Sequence, residues 1–162
     1  MIFLIPHLID EAARRFPQRP AIRCHGQSLD YNQLVQRANS LANSLIEAGV
    51  GRGDRVGILM NKCLETAVAV YGIMKAGAAY VPLDPAAPLP RLSFLLQDCS
   101  IRLLVTQKSK APLLRRLVAE NPDHEHERLR SAVSDMHGAL DDMLKATDLA
   151  DGGEPRDILE TY

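Results

Sequence analysis

Apolar residues recur at helical spacing in two stretches near the start of the chain. In the first they occupy positions 5, 8, 9, 12, 13 and 16, which predicts a helix over Pro6–Phe16. In the second they occupy positions 34, 38, 41 and 45. This second helix should follow Asp30, because Asp30 and Gln33 form a capping-box pattern. Gly49 has the place of the glycine that commonly follows the last turn of a helix.

Shorter apolar runs alternate with helical patterns through the middle of the chain. Ala21–Leu29 alternates apolar and polar residues and is predicted to be a β-hairpin that turns at Gly26-Gln27. Three later runs show no alternation, as expected of strands buried on both faces. These predicted strands are Arg55–Met60, Ala78–Leu83 and Ile101–Thr106. The predicted helices are Lys62–Ala76 (capped by Asn61), Leu89–Gln97 and a last helix that Ser109 caps and that runs through Val118.

This order of elements predicts an α/β fold, with a mostly parallel sheet flanked by helices on both faces. The pattern changes after Glu120, where the sequence becomes charged and then rich in turn-forming residues. We therefore divide the chain into an α/β subdomain over residues 1–120 and a variable connecting segment over residues 121–162. Apolar residues at positions 129, 133, 136, 140 and 144 hint at a further helix, which Gly138 would weaken.

Composition narrows the classes of function. The 162 residues carry a net charge of −1, so no basic surface for nucleic acid or an anionic membrane is expected. The N-terminus lacks the pattern of a signal peptide, and no apolar run approaches the ~18 residues of a membrane span. Cys24, Cys63 and Cys99 are odd in number and lie in apolar stretches. Reduced, buried thiols in the cytoplasm are the expectation.

No residue pattern predicts an active site from chemistry alone. The glycine-rich stretch Gly49–Gly53 follows a helix and precedes a strand, the reverse of a phosphate-binding turn, so a helix end and tight turn are favoured. The histidines and glutamates of 124–127 offer metal-ligand types in a charged stretch, where a solvated surface is the simpler interpretation. No cysteine has an adjacent base in sequence. We expect no catalytic, cofactor-binding or metal-binding residue in this chain.

Several motifs nevertheless resemble those of one family, in order and spacing. The stretch Met74–Pro85, MKAGAAYVPLDP, resembles the second core motif of the adenylate-forming ligases, which include acyl-CoA synthetases and the adenylation domains of nonribosomal peptide synthetases. Ser28–Leu34 resembles the first core motif, and the similarity extends from about Leu4 to Val118. The motif residues to which we assign structural roles are Tyr31, Leu34, Asp54, Lys75, Gly77, Tyr80, Pro82, Asp84 and Pro85.

The resemblance implies a reaction in two steps. A carboxylate and ATP give an acyl-adenylate and pyrophosphate, and CoA or a carrier protein's pantetheine then takes the acyl group. The family binds the ATP phosphates, with Mg²⁺, through a loop rich in Ser, Thr and Gly that ends in Pro-Lys-Gly, and the sequence contains no such loop. The chain is thus expected to be an N-terminal fragment, inactive alone.

The expected partner is the remainder of the parent ligase. In the absence of that partner, self-association is expected through the surface that the remainder would cover. The alternative interpretation is a non-catalytic α/β interaction module, or one half of a split enzyme.

Overall fold

The structure, a computed structural model, describes residues 4–120. Over this range the chain forms five α-helices, a two-stranded antiparallel hairpin and a three-stranded parallel sheet. The helices are α1 (Ile5–Arg15), α2 (Tyr31–Glu47), α3 (Leu64–Lys75), α4 (Leu89–Asp98) and α5 (Ala111–Glu120), and the strands are β1 (Pro20–Cys24), β2 (Gln27–Asp30), β3 (Arg55–Leu59), β4 (Ala79–Leu83) and β5 (Leu103–Thr106).

The parallel sheet has the order β4-β3-β5 and separates two apolar cores. Val56 and Ile58 of the central strand pack on one face, in a core that includes residues of α1, α2 and α3. Leu59 and Leu104 pack on the other face with apolar residues of α4 and α5. The alternation arises because successive side chains of a strand point to opposite faces. The predicted α/β fold with helices on both faces of a parallel sheet is confirmed.

Strand β4 differs from its prediction as a buried strand. It pairs only with β3 among the described strands, and Ala79, Tyr80 and Pro82 are exposed. Leu83 alone in the strand is fully buried. An edge position also accommodates Pro82, because proline has no N–H to offer a neighbouring strand. The apolar run therefore indicated a strand correctly but did not distinguish an edge from a centre.

Two other predicted details are correct or nearly so. The capping box of α2 is present, since the Gln33 N–H donates to Asp30 Oδ1 at 2.7 Å and the Asp30 N–H donates to Gln33 Oε1 at 3.1 Å. The hairpin forms, but it turns at His25-Gly26 rather than at Gly26-Gln27. His25 and Gly26 both have positive φ, 48° and 80°, which matches the twist of a two-residue hairpin turn.

The predicted caps of two later helices are wrong. Helix α3 begins after Cys63 instead of Asn61, and the Cys63 N–H donates to Thr66 Oγ1 at 3.2 Å. Ser109 does not cap α5, because it lies inside a short 3-10 turn, Lys108–Lys110, that leads into the helix.

Within residues 4–120, no helix combines the length and apolarity needed to cross a bilayer.

Three helices end in the same hydrogen-bonded motif. At the end of α3 the Gly77 N–H donates to the Met74 carbonyl and the Ala78 N–H to the Ile73 carbonyl, both at 3.1 Å. Gly77 has φ of 84°, the left-handed conformation predicted for it. Gly49 after α2 has φ of 85°, whereas Ser100 after α4 takes the same place with φ of 50°.

Replacing Gly77 with valine should lower the free energy of unfolding by about 1–3 kcal/mol, because a β-branched residue is strained at positive φ. The nearest atoms to an added Cβ are backbone atoms of Arg52 at 3.7 Å or more, so the cost comes from the backbone conformation and not from a clash. Urea midpoints would measure it. The matched reverse change is Ser100→Gly, which should raise the midpoint. Equal midpoints for parent and Gly77→Val would contradict the assignment.

Candidate functional site

The order of the parallel strands creates a topological switch point. Helix α3 carries the chain from β3 to β4 on one face of the sheet, and α4 carries it back across β3 to β5 on the other face. The carboxyl ends of β3 and β5 therefore lie side by side where the connections diverge. In open α/β sheets, ligands commonly bind at this place. This edge of the sheet is therefore the expected place for a ligand-binding or catalytic site.

A hydrogen-bond network closes this end of the sheet. The Thr106 hydroxyl donates to the Leu59 carbonyl at 2.6 Å. Gln107 accepts from the Asn61 N–H at 3.1 Å through Oε1 and donates to Cys63 Sγ at 3.2 Å through Nε2. The Thr66 hydroxyl donates to the Asn61 carbonyl at 3.3 Å. These bonds join β3, β5 and the start of α3, and the polar groups satisfy one another, so the network acts as a brace.

Cys63 is the cysteine that takes part in this network, through its bond from Gln107. Burial raises the pKa of its thiol above the ordinary value, and the neighbouring Glu65 raises this pKa further. A raised pKa keeps the sulfur protonated at neutral pH, and the thiol is a poor nucleophile compared with the thiolate. Cys63 is therefore suited to packing at this position. The sequence interpretation of buried thiols is correct only in part, because Cys24, Cys63 and Cys99 are free but only half-buried.

The glycine-rich stretch Gly49–Gly53 has a structural explanation. Gly49 ends α2, and the Gly51 N–H donates to Asp54 Oδ2 at 2.8 Å. Arg102 Nη2 donates to the other oxygen of Asp54 at 2.9 Å. The Gly51 N–H and then the Arg102 guanidinium hold the pKa of Asp54 below its ordinary value of 3.8. Asp54 thus binds the turn before β3 to the residue before β5.

Asp54→Asn should weaken folding at neutral pH and flatten the acid dependence of stability. A carboxyl whose pKa is lowered in the folded state contributes stability above its unfolded pKa, 3.8, and this contribution is lost as the pH falls through the folded pKa. The difference in urea midpoint between parent and variant should therefore shrink below pH 3.8. Arg102→Gln is the matched control and should keep most of the dependence, because the Gly51 N–H remains. A constant difference at all pH values would contradict this.

The remaining motif residues occupy structural positions. Tyr31 begins α2 and is half-buried, and Leu34 is fully buried in the core beneath it. Lys75 Nζ lies 2.5 Å from Asp10 Oδ1, an ion pair of partly buried side chains that ties α3 to α1. Tyr80 and Pro82 lie on the exposed edge strand. Asp84 Oδ1 accepts from the Ala86 N–H at 2.9 Å in the turn that contains Pro85.

The motif residues predicted from the sequence therefore do not come together in one site. Asp54 is at the amino end of β3, whereas Asp84 and Pro85 follow the carboxyl end of β4. The metal-ligand types at 124–127 lie outside the described residues. Among residues 4–120, no three His, Cys, Asp or Glu side chains come together as a metal site. The sequence analysis did not predict that Thr66, Thr106 and Gln107 join the ends of the strands to α3. The one sequence feature that could have indicated it is that these polar residues lie beside the ends of strands and helices.

Comparison with known proteins identifies the family of this chain. Residues 9–158 match the family model described as AMP-binding enzyme. A linear gramicidin synthase of Brevibacillus parabrevis is 38% identical over 151 residues, which are 91% of this chain and 3% of that relative. The chain therefore spans a small part of this much longer relative.

Solved structures give the same result. The nonribosomal peptide synthetase FmoA3, in a form with bound α-methyl-L-serine-AMP, superposes with a TM-score of 0.66 and 37% identity, over 68% of this chain and 13% of that one. The N-terminal subdomain of NpsA from Klebsiella oxytoca superposes with a TM-score of 0.61 and 26% identity, over 66% of this chain and 28% of that one. The fold is that of the N-terminal subdomain of an adenylate-forming ligase. The chain belongs to the AMP-binding enzyme family.

Proposed function

We propose that this chain serves as the N-terminal scaffold of an ATP-dependent acid ligase. The complete enzyme would convert a carboxylic or amino acid and ATP to an acyl-adenylate and pyrophosphate. It would then transfer the acyl group to the thiol of CoA or of a carrier protein's pantetheine. The observation that supports this most strongly is the family match over residues 9–158, together with similarity to a synthetase whose bound form holds an aminoacyl-AMP.

Within that enzyme the described residues have a supporting role. The second core motif, Met74–Pro85, contributes an ion pair between α3 and α1, the left-handed residue Gly77 and the turn at Asp84. Each of these fixes the position of a helix or strand end. In such enzymes a rigid sheet positions the loops that carry chemistry. The scaffold would thus set the geometry of groups supplied by the rest of the ligase.

The chemical groups for adenylation would come from that remainder. ATP binding needs convergent backbone N–H groups and Mg²⁺ to stabilise charge on the phosphates. The sequence has no loop of the Ser/Thr/Gly-rich type ending in Pro-Lys-Gly, and the switch-point polar groups are bonded to one another.

The remainder of the ligase is also the proposed partner for exposed apolar side chains such as Tyr80 and Phe94. Without it, the chain is proposed to associate with itself.

The isolated chain should catalyse no acid-dependent exchange of pyrophosphate into ATP. The reason is that the sequence contains no Ser/Thr/Gly-rich loop ending in Pro-Lys-Gly to hold the ATP phosphates. The assay would use purified protein, a panel of carboxylic and amino acids, and heat-treated protein as the control. Exchange above that control, in a preparation freed of host ligases, would contradict the fragment assignment and favour an active half of a split enzyme.

A further inference from the structure

We propose that a groove between α1, β1 and α3 binds a small amphipathic anion, an alkyl chain of about ten carbons with one anionic headgroup. The groove is lined by Ile5 of α1, by Ile22, Arg23 and Cys24 of β1, and by residues from Lys62 to Met74 on and before α3. This α1–β1–α3 groove is lined by neither Asp54 nor Asp84, but it shares Cys63 and Thr66 with the network at the switch point and Met74 with the second core motif. Its proposed binding does not depend on the ligase reaction.

The size of the groove sets the size of the ligand. Its volume is about 360 Å³, at the lower end of small-molecule sites. If each heavy atom occupies about the 30 Å³ of a water molecule in the liquid, the groove holds about 12 heavy atoms. Decanoate, with ten carbons and two oxygens, has this number. A docked protein would need a surface several times larger than the groove offers.

The apolar character of α3 explains why the groove exists. Apolar residues cover most of the circumference of this helix, and α2 and the sheet bury Leu64, Val68 and Ile73. Among the described residues, α1 and the hairpin approach the helix on the opposite side, where Ile5 and Ile22 line the groove. Val70 and Met74 therefore remain half-exposed and form part of an apolar wall with Ile22. An alkyl chain placed along this wall removes apolar surface from water.

Two cations give the groove its preference for an anion. Arg23 and Lys62 line it, both are exposed, and neither has an ion-pair partner among the residues that the structure describes. By contrast, Arg14, Arg15, Lys75 and Arg102 all form ion pairs. No acidic residue is part of the lining, and the one acidic side chain noted beside a lining residue is Glu65, which interacts with the Cys63 thiol. An apolar wall with unpaired cations attracts a ligand that is apolar along its length and negative at one end.

The cysteines provide a direct readout of occupancy. Cys24 and Cys63 line the groove, whereas Cys99 packs with the core on the other face of the sheet. A ligand of about 12 heavy atoms should bind with a dissociation constant on the order of 0.1–1 mM. At about 1 mM, decanoate should therefore slow alkylation of Cys24 and Cys63 by iodoacetamide about twofold to tenfold. Cys99 should react at an unchanged rate.

The experiment uses the full chain at about pH 9, because the raised pKa of the Cys63 thiol leaves it mostly protonated at lower pH, and mass spectrometry resolves the three cysteines. Decyltrimethylammonium has the same alkyl chain with a cationic head and should protect less than decanoate. Arg23→Gln and Lys62→Gln should each reduce protection about twofold to fivefold. Arg91→Gln, an exposed cation on α4, is the matched control and should leave protection unchanged. Circular dichroism would verify that each variant is folded.

Protection of Cys24 and Cys63 by decanoate, weakened in both groove variants and absent at Cys99, is the expected result. Unchanged alkylation with decanoate, or equal protection by the cationic ligand, would overturn the proposal. Equal slowing at Cys99 would overturn it as well, because it would indicate a general effect on the fold. Protection that rises with protein concentration in the absence of decanoate would show that a second copy of the chain occupies the groove instead.

Discussion

Gly57→Val should lower the free energy of unfolding by about 1–3 kcal/mol, because the centre of the sheet has no space for a side chain there. A Cβ on Gly57 would lie 2.2 Å from Leu104 Cδ2, and atoms of Leu83 and Ile101 follow at 3.1 and 3.3 Å. All three neighbours are buried, so they cannot swing into solvent. Glycine in a strand commonly marks such a close approach.

Gly51→Ala is the matched control for this substitution. Gly51 lies shortly before the same strand, its φ is not in the left-handed region, and nothing lies within 4 Å of an added Cβ. Its replacement should change stability by no more than about 0.5 kcal/mol. Urea unfolding followed by circular dichroism measures both variants. Similar midpoints for Gly57→Val and Gly51→Ala would show that the core between the sheet and helices α4 and α5 is loosely packed, contrary to the described contacts.

Leu41→Ala should cost about 2–5 kcal/mol, the loss expected when a fully buried leucine is truncated. Leu41 is 1% exposed and packs between α2 and α3. The two helices approach closely at this point, because an added Cβ on Gly72 of α3 would lie 2.8 Å from Leu41 Cδ2 and 3.0 Å from its Cβ. Truncation therefore leaves a cavity at a tight contact between the helices.

The same contact predicts that the effect of a substitution at Gly72 depends on Leu41. Alanine is favoured over glycine within a helix by about 1 kcal/mol, but in the parent chain Gly72→Ala must also displace Leu41 and should be destabilising. In the Leu41→Ala background the clash with Cδ2 is gone and the 3.0 Å approach to Cβ remains, so Gly72→Ala should cost less than in the parent chain. A double-mutant cycle of urea unfolding free energies measures this coupling. Additive effects would show that Leu41 and Gly72 do not share the contact.

The sequence predicted those elements whose local pattern was consistent with their burial. Helix α2 combined a capping box, an apolar stripe and a terminal glycine, and all three features are present. The runs that became β3 and β5 lie in the sheet as predicted. Pairing order was not accessible from periodicity, so the exposure of β4 as an edge strand could not be foreseen from its apolar residues.

Details that depend on distant residues were the ones that local patterns missed. Asn61 was predicted to cap α3, but its N–H is bound by Gln107, 46 positions later, and the helix begins beyond it. His25 adopts a positive φ, which is uncommon for a residue other than glycine, so the hairpin turn was placed one residue late. The groove arises from three separate elements, so the apolar residues around most of α3 did not by themselves indicate it. The family, in contrast, was identified from motifs such as Met74–Pro85, whose residues have structural roles.

The central claim is that this chain is the N-terminal scaffold of an adenylate-forming ligase. The most direct test is a chimera in which residues 4–120 replace the segment of FmoA3 that superposes on them. We predict that the chimera retains exchange of pyrophosphate dependent on α-methyl-L-serine, and that Gly57→Val in the grafted segment reduces it. A folded chimera without exchange, beside an active FmoA3 parent, would contradict the scaffold assignment.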